Sequence, residues 1–259
     1  LMDVKNKKWS SAMLDFLGID ESVLPKLYES YEPVGKLKFR ALEQLGLKGD
    51  ITLVAGAGDQ AAGAIGTGTV DEGIISVNMG TSGVVFAAHT GYVADPDMRL
   101  HAFCHANGNY HSMGVMLSCA SCIKWWHDKV NEKYSIDELI DETKLIPPGS
   151  GKVIFLPYLM GERTPYPDPY VRGTFVGITP ETSRQAMSKA VLEGVSFGLK
   201  DAFEILRNMG IPVKEVRVIG GGARNPVGIK ILSDILNFPV KTINTAQGGA
   251  LGAAILEGV

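Results

Sequence analysis

The chain has 259 residues, 45% of them hydrophobic and 20% charged, with a formal net charge of −3. That balance fits one large globular domain or two modest ones, and scattered Lys and Arg argue against nucleic acid as a partner. The polar opening LMDVKNKKWSS lacks the apolar core of a secretory signal, no run is long enough to span a bilayer, and three cysteines point to free thiols in a reducing, cytoplasmic setting.

In chain order, SSAMLDFLG (10–18) and KFRALEQLG (38–46) read as short helices, each ended by Gly. ITLVAG (51–56) has the pattern of a buried strand, and the small residues of GAGDQAAGAIGTG (56–68) start a helix at about Asp59. GIISVNMGTSGVVFAAH (73–89) reads as a β-hairpin around a Gly-Thr-Ser-Gly turn. HAFCHANGNYHSMGVM (101–116) is a third strand or a hairpin, and SCASCIKWWHDKV (118–130) has helical spacing. Ser135 and Glu138 form a capping box that opens another helix. KVIFLPYL (152–159) is a strand before a Pro-rich loop, 161–173. Thr179-Pro180 starts the longest helix, which ends near Gly210; on it, Gly194 and Gly198 lie one turn apart and predict a close neighbour. VKEVRVIGGGARN (213–225) is strand, Gly-rich turn and helix start. VKTIN (240–244) is a strand and GGALGAAILEG (248–258) a helix. A hairpin followed by alternating strands and helices indicates an α/β fold with a mixed sheet flanked by helices.

Four stretches carry candidate chemistry. GAGDQA fits the dinucleotide fingerprint G-x-G-x-x-G/A, but Asp59 would oppose a pyrophosphate, and the next strand ends in Asn78 and Met79 where a ribose-binding acid is expected. The plainer alternative makes Asp59 an N-cap, stabilised by the helix dipole. In NMGTSGV the amides can form an anion nest and Thr81 or Ser82 can donate to phosphate; otherwise it is a hairpin turn that uses Gly for positive φ. In GGGARN three successive glycines exceed what a strand-to-helix turn needs, which favours a ligand. Cys119 and Cys122, with His101, Cys104, His105 and His111 nearby, leave room for zinc. Buried thiols on one helix face are the stronger reading, and Trp125-Trp126 reads as core.

The ordered series AGAGDQAAGAIGTG, SVNMGTSGVVFA, FLPYLMGERTPYPDPYVRGTFVGIT, VLEGVSFGLKDAFEIL, VIGGGARNPVGIKILSDIL and GGALGAAI resembles the FGGY carbohydrate kinases over nearly the whole chain. The resemblance implies a ribonuclease-H-like fold of the actin and hexokinase type. It assigns residues 1–72 to the end of the family's N-terminal domain and residues 73–259 to its ATP-binding C-terminal domain. It casts Asp59 as the catalytic base that takes the proton of a sugar hydroxyl, and Gln60 as a sugar contact. Gly80, Thr81 and Ser82 would meet the terminal phosphates of ATP, and Gly221, Gly222 and Asn225 its nucleoside end. Mg2+ would be held through phosphate and water, with no protein ligand assigned. The implied reaction is ATP-dependent phosphorylation of D-xylulose to D-xylulose 5-phosphate. Ribulose, gluconate or glycerol are alternative acceptors, and an actin-like nucleotide module without sugar transfer is an alternative of another class. The rest of the N-terminal domain is an expected partner, the chain alone is expected to be incomplete, and a homodimer stays open.

Overall fold

Glycine, serine and proline punctuation divides the chain into short elements, and the computed structural model describes them over residues 1–243 and 248–258. First come a ribbon of β1 (Met2–Asp3) and β2 (Lys8–Trp9), helix α1 (Ser11–Leu17), a ribbon of β3 (Pro33–Lys36) and β4 (Thr52–Val54) enclosing α2 (Phe39–Leu45), and α3 (Asp59–Gly66). Ser10 caps α1, and Gly18 and Gly46 end α1 and α2 in left-handed conformation, as their sequences predict. β4 departs from expectation. It is exposed and pairs with β3 alone, because neither ribbon joins the central sheet.

Strands β5 (Ile74–Met79), β6 (Gly83–His89), β7 (His101–Cys104) and β8 (Tyr110–Met116) follow, so 101–116 is a hairpin. After α4 (Ala120–Val130) and α5 (Ile136–Asp141), β9 (Ile154–Leu156) and β10 (Thr174–Val176) form a separate ribbon. The long helix α6 (Arg184–Asn208), β11 (Glu215–Ile219), α7 (Pro226–Leu236), β12 (Val240–Thr242) and α8 (Gly248–Glu257) complete the order. α6 begins later than Pro180. Thr182 Oγ1 accepts from Thr179 N at 2.9 Å in a preceding turn, and Ser183 then supplies the cap. The predicted strand VKTIN contracts to Val240–Thr242, and its last residue, 244, lies outside the described residues.

The six-stranded sheet runs β12-β11-β5-β6-β8-β7; β11 is parallel to both neighbours and the remaining pairs are antiparallel. One face packs on α6. Ile75, Val77, Val85, Leu199, Phe203, Leu206, Val216 and Val218 form its core, each large side chain stabilising the fold by about 1.5–3 kcal/mol. Gly194 and Gly198 do meet a close neighbour: a Cβ on Gly194 would lie 3.1 Å from the Phe155 carbonyl carbon, and one on Gly198 2.7 Å from Met116 Cε. On the other face Val84, Phe86, Ala88 and Val115 pack with Ala64 of α3. Because β6 is buried along its whole length, it reads as a continuous apolar run.

α3 and α8 touch backbone to backbone. A Cβ on Gly66 would lie 2.8 Å from Gly252 N, and one on Gly252 would lie 2.6 Å from the Ala62 carbonyl carbon. The small residues of both helices therefore serve a helix crossing. Arg217 of β11 donates to Thr67 O at the C-terminal end of α3 at 2.6 Å, where a cation suits the helix dipole.

Candidate active site

Asp59 sits at the N-terminus of α3, one position inside the cap. Gly58 is the N-cap and Asp59 the first helical residue, its Oδ1 accepting from Gln60 N at 2.8 Å. The N-cap expectation is corrected by one residue, while the carboxylate keeps its place at the positive end of the helix dipole. Asp59 is exposed and Gln60 half-buried, with Ala61, Ala62 and Ala64 burying the rest of the helix. The dinucleotide alternative fails on topology. β4 belongs to an antiparallel ribbon, and α3 leads into a strand that is not its neighbour, so the parallel strand–helix–strand unit is absent among the described residues.

The Gly80-Thr81-Ser82 turn joins β5 to β6 and is braced from behind. Ala120 N donates to Gly80 O at 2.9 Å, and Cys119 N and Ser121 Oγ donate to Thr81 O, each at 2.9 Å. The free amides at the start of α4 are thus spent on carbonyls of the turn, whose hydroxyl side chains stay exposed. Glycine is needed there for packing, because neither Gly80 nor Gly83 has positive φ. A Cβ on Gly83 would lie 2.8 Å from Leu199 Cδ2 and 3.2 Å from Cys119 Cβ. Leu117, just before α4, donates to the buried carboxylate of Glu162 at 2.9 Å, and burial pushes that carboxyl above its ordinary range.

The Gly-rich turn after β11 packs on the end of β5. A Cβ on Gly220 would lie 2.5 Å from Asn78 Oδ1, and one on Gly222 2.8 Å from Met79 Cβ, whereas Gly221 has nothing within 4 Å. Close packing thus accounts for two of the three glycines, and Gly221 alone faces open space. Asn225 caps α7, its Oδ1 accepting from Val227 N at 2.9 Å, which turns that oxygen towards the helix and leaves the amide nitrogen as its donor group.

These two turns meet. A cleft of about 660 Å³ is lined by Thr81 on one side and by Gly221, Gly222 and Asn225 on the other, a volume suited to a small organic ligand. Asp59, Gln60, Gly80 and Ser82 are not among its walls. The family model described as "FGGY family of carbohydrate kinases, C-terminal domain" matches residues 75–259, and that of the N-terminal domain matches residues 1–66.

The chain belongs to the FGGY family of carbohydrate kinases. A xylulose kinase of Lactococcus lactis is 36% identical over 258 residues, which is 99% of this chain and 51% of the relative. A crystal structure of a xyloylose kinase from Brucella ovis superposes with TM-score 0.91 at 38% identity, covering 98% of this chain and 53% of that one. A gluconate kinase from Lactobacillus acidophilus superposes with TM-score 0.93 at 29% identity, covering 99% and 52%. This FGGY chain thus has the actin- and hexokinase-like ATPase fold, and it spans about half the length of the curated relatives it matches.

The cleft of this FGGY chain also has walls that motif reading missed: Ser121 and Lys124 from α4, Ile136, Asp137 and Ile140 from α5, and Arg224. The capping box at Ser135 and the helical spacing of 118–130 located these helices, but nothing in their residues marks which face meets the Gly-rich turn. The thiols take no part. Cys119 and Cys122 are buried and free, and burial raises Cys119 to about 12 and Cys122 further. Trp126 is core, its Nε1 donating to Ser188 Oγ at 2.9 Å.

Proposed function

We propose that this chain supplies the nucleotide cleft and the catalytic base of an ATP-dependent sugar kinase that converts D-xylulose to D-xylulose 5-phosphate. The observation that carries the proposal is the single cleft that joins Thr81 to Gly221, Gly222 and Asn225. The terminal phosphates of ATP would lie against Gly80, Thr81 and Ser82, where amides and hydroxyls offset their charge. The nucleoside would extend towards the Gly-rich turn, with Gly221 giving it close approach and Asn225 a donor.

Asp59 would accept the proton of the sugar hydroxyl as its oxygen attacks the γ-phosphorus; the new O–P bond forms while the bond to ADP breaks. Gln60 would contact the sugar. Mg2+ fits as a companion of the nucleotide, held by phosphate oxygens and water and offsetting their charge. Among the described residues no group of three or more His, Cys, Asp or Glu is placed to ligate a metal ion.

Residues 1–72 would be the end of the N-terminal domain and residues 73–259 the C-terminal domain; matches of the two family models to 1–66 and 75–259 support that division. The remaining half of the relatives' length would complete the sugar site. Free thiols and use of ATP favour the cytoplasm, and among the described residues no helix is long and apolar enough to cross a membrane. Gluconate is a second acceptor, favoured by the likeness to the L. acidophilus gluconate kinase.

Asp59→Asn tests the base in a chain extended to the relatives' full length. We expect ATP-dependent phosphorylation of xylulose to fall by about 10²–10⁴ in kcat, the usual worth of a positioned base, with little change in the KM for ATP. A near-native kcat removes the base assignment. Gluconate turnover exceeding xylulose turnover in the unaltered enzyme moves the substrate.

A further inference from the structure

Helix α5 supplies three neighbouring walls of the nucleotide cleft, Ile136, Asp137 and Ile140, with Ile140 one turn from the other two. Ile140 is buried, Ile136 half-buried and Asp137 exposed. An acid in the first turn of a helix is ordinarily explained by the cap or the dipole. Here the cap is complete without it: Glu138 N donates to Ser135 Oγ at 3.2 Å, and Ser135 N donates to Glu138 Oε2 at 2.7 Å. Among the described residues the Asp137 carboxylate has no hydrogen bond and no ion pair.

Two other charged side chains line the cleft. Lys124 pairs with Asp128 on its own helix, α4. Arg224, on the Gly-rich turn, forms no ion pair with Asp137. A carboxylate in a cleft that takes a nucleotide needs a donor to meet, because beside a phosphate it would only repel. The start of α4 marks the phosphate side, since Ser121 Oγ donates to Thr81 O at 2.9 Å, whereas α5 packs against α4 and α7. Of the groups on a nucleotide, the ribose diol fits a carboxylate best: two O–H donors side by side meet two acceptor oxygens. An acid holds ribose by the same chemistry in dinucleotide-binding folds.

We infer that Asp137 selects ribonucleotides, its carboxylate accepting from the 2′- and 3′-hydroxyls while Ile136 and Ile140 pack against the nucleoside. The inference rests on the nucleotide reading of the cleft and adds to it the residue that tells ribose from a sugar without hydroxyls.

Isothermal titration of the 259-residue chain with ADP and with 2′,3′-dideoxy-ADP provides the test. ADP is expected to bind about five-fold or more tightly than the dideoxy nucleotide, a discounted value for hydrogen bonds to a charged group on a solvent-open wall. Asp137→Ala is expected to bring the two affinities together by weakening ADP alone. Because Asp137 is exposed and unbonded, that variant is expected to fold as the parent does. Asp141→Ala is the control, on the same helix but outside the cleft and paired with Lys144; it is expected to keep the preference. Equal affinities on the unaltered chain overturn the inference and leave the nucleotide reading standing. So does a preference that survives Asp137→Ala, or an Asp137→Ala protein that binds both nucleotides more weakly to the same degree. Failure of the unaltered chain to bind ADP at all overturns the inference together with the nucleotide reading of this chain's cleft.

Discussion

At the scale of the residue, the three glycines 220–222 show why a motif alone is ambiguous. Gly222 is fixed by the chain's own packing. An added Cβ would press on Met79 Cβ at 2.8 Å and Met79 O at 3.2 Å, rigid neighbours at the end of β5. Gly222→Ala is expected to lower stability by about 1–3 kcal/mol, the usual range for overpacking. Gly221 has open space and no positive φ, so Gly221→Ala is expected to change stability by no more than about 0.5 kcal/mol. Its methyl would instead narrow the cleft and weaken ADP binding. Urea denaturation and ADP titration on both variants separate the two effects. A Gly222→Ala protein as stable as the parent would show that the turn is looser than its geometry, and unchanged ADP affinity in Gly221→Ala would remove that residue from the nucleotide contact. The sequence made the turn legible, but not this division of labour. Which glycine faces a ligand depends on Met79, more than 140 positions away.

At the scale of the element, the α3–α8 crossing makes a parallel case. Gly252→Ala would place a Cβ 2.6 Å from the Ala62 carbonyl carbon and 2.9 Å from Gly66 N. The helices must then part, at a cost of about 3 kcal/mol, the upper end of overpacking. Gly249→Ala meets nothing nearer than Asp59 O at 3.8 Å, and alanine's better helix propensity makes it neutral or stabilising by up to about 1 kcal/mol. Thermal or urea unfolding of the pair decides; equal effects would mean the crossing is not tight. The sequence offered GAGDQAAGAIGTG and GGALGAAILEG as two small-residue helices without saying that they meet. The lack of bulk after Asp59 is accordingly owed in part to the crossing with α8.

Also at this scale, the strands β6 and β8 and the turn after β7 bring three imidazoles together against Phe86 and the segment that follows α3. His111 stacks on Phe86 at 4.3 Å with its Nδ1 unbonded, His105 lies 5.7 Å from it and meets Thr69 O at 3.1 Å, and His89 meets Ser112 Oγ at 3.0 Å. Burial holds all three below the usual imidazole range, His111 at about 3. Depressed imidazoles are neutral in the fold but take up protons in the unfolded chain near pH 6.5. Their contribution is complete above about pH 6.5 and is lost as pH falls towards the folded values, at up to about 1.4 kcal/mol per pH unit for each group. His111→Phe keeps the stack and removes one such group. Urea midpoints at pH 7, 6, 5 and 4 are expected to fall less steeply in that variant. Parallel slopes would mean that His111 is not buried neutral. The sequence grouped His105 and His111 only in a zinc alternative and did not single out His89, because burial by Phe86 follows from strand register, which pairs Phe86 with Met113 and Ala88 with His111.

At the scale of the whole molecule, the two halves of the candidate site are unequal. The mixed sheet, the hairpin, the Gly-rich turn and the long helix were legible because local punctuation and periodicity mark them, whereas the strand order was not. β4 was misjudged as buried because burial depends on what lies over a strand, and β3 and β4 stand apart from the sheet. The cleft proposed for the nucleotide is lined by residues from Thr81 to Pro226, on turns and helices beside the central sheet. Asp59, the proposed base, is by contrast exposed, and the region before it shows Phe16, Val23, Phe39 and Leu45 to solvent at 80%, 68%, 74% and 64%. Phosphoryl transfer to a sugar in preference to water needs a closed, water-excluding site, and an open carboxylate cannot provide one. The 259-residue chain is therefore expected to bind ADP while phosphorylating xylulose at less than about 1% of the rate of a chain extended to the relatives' full length, since a misplaced acceptor alone costs about 10². Titration with ADP and a coupled assay for ADP release, with and without xylulose, read the two properties separately. Loss of ADP binding would show that the cleft depends on the half of the relatives' length that this chain does not span. Full sugar-dependent turnover by the 259-residue chain would show that Asp59 already has the acceptor site it serves.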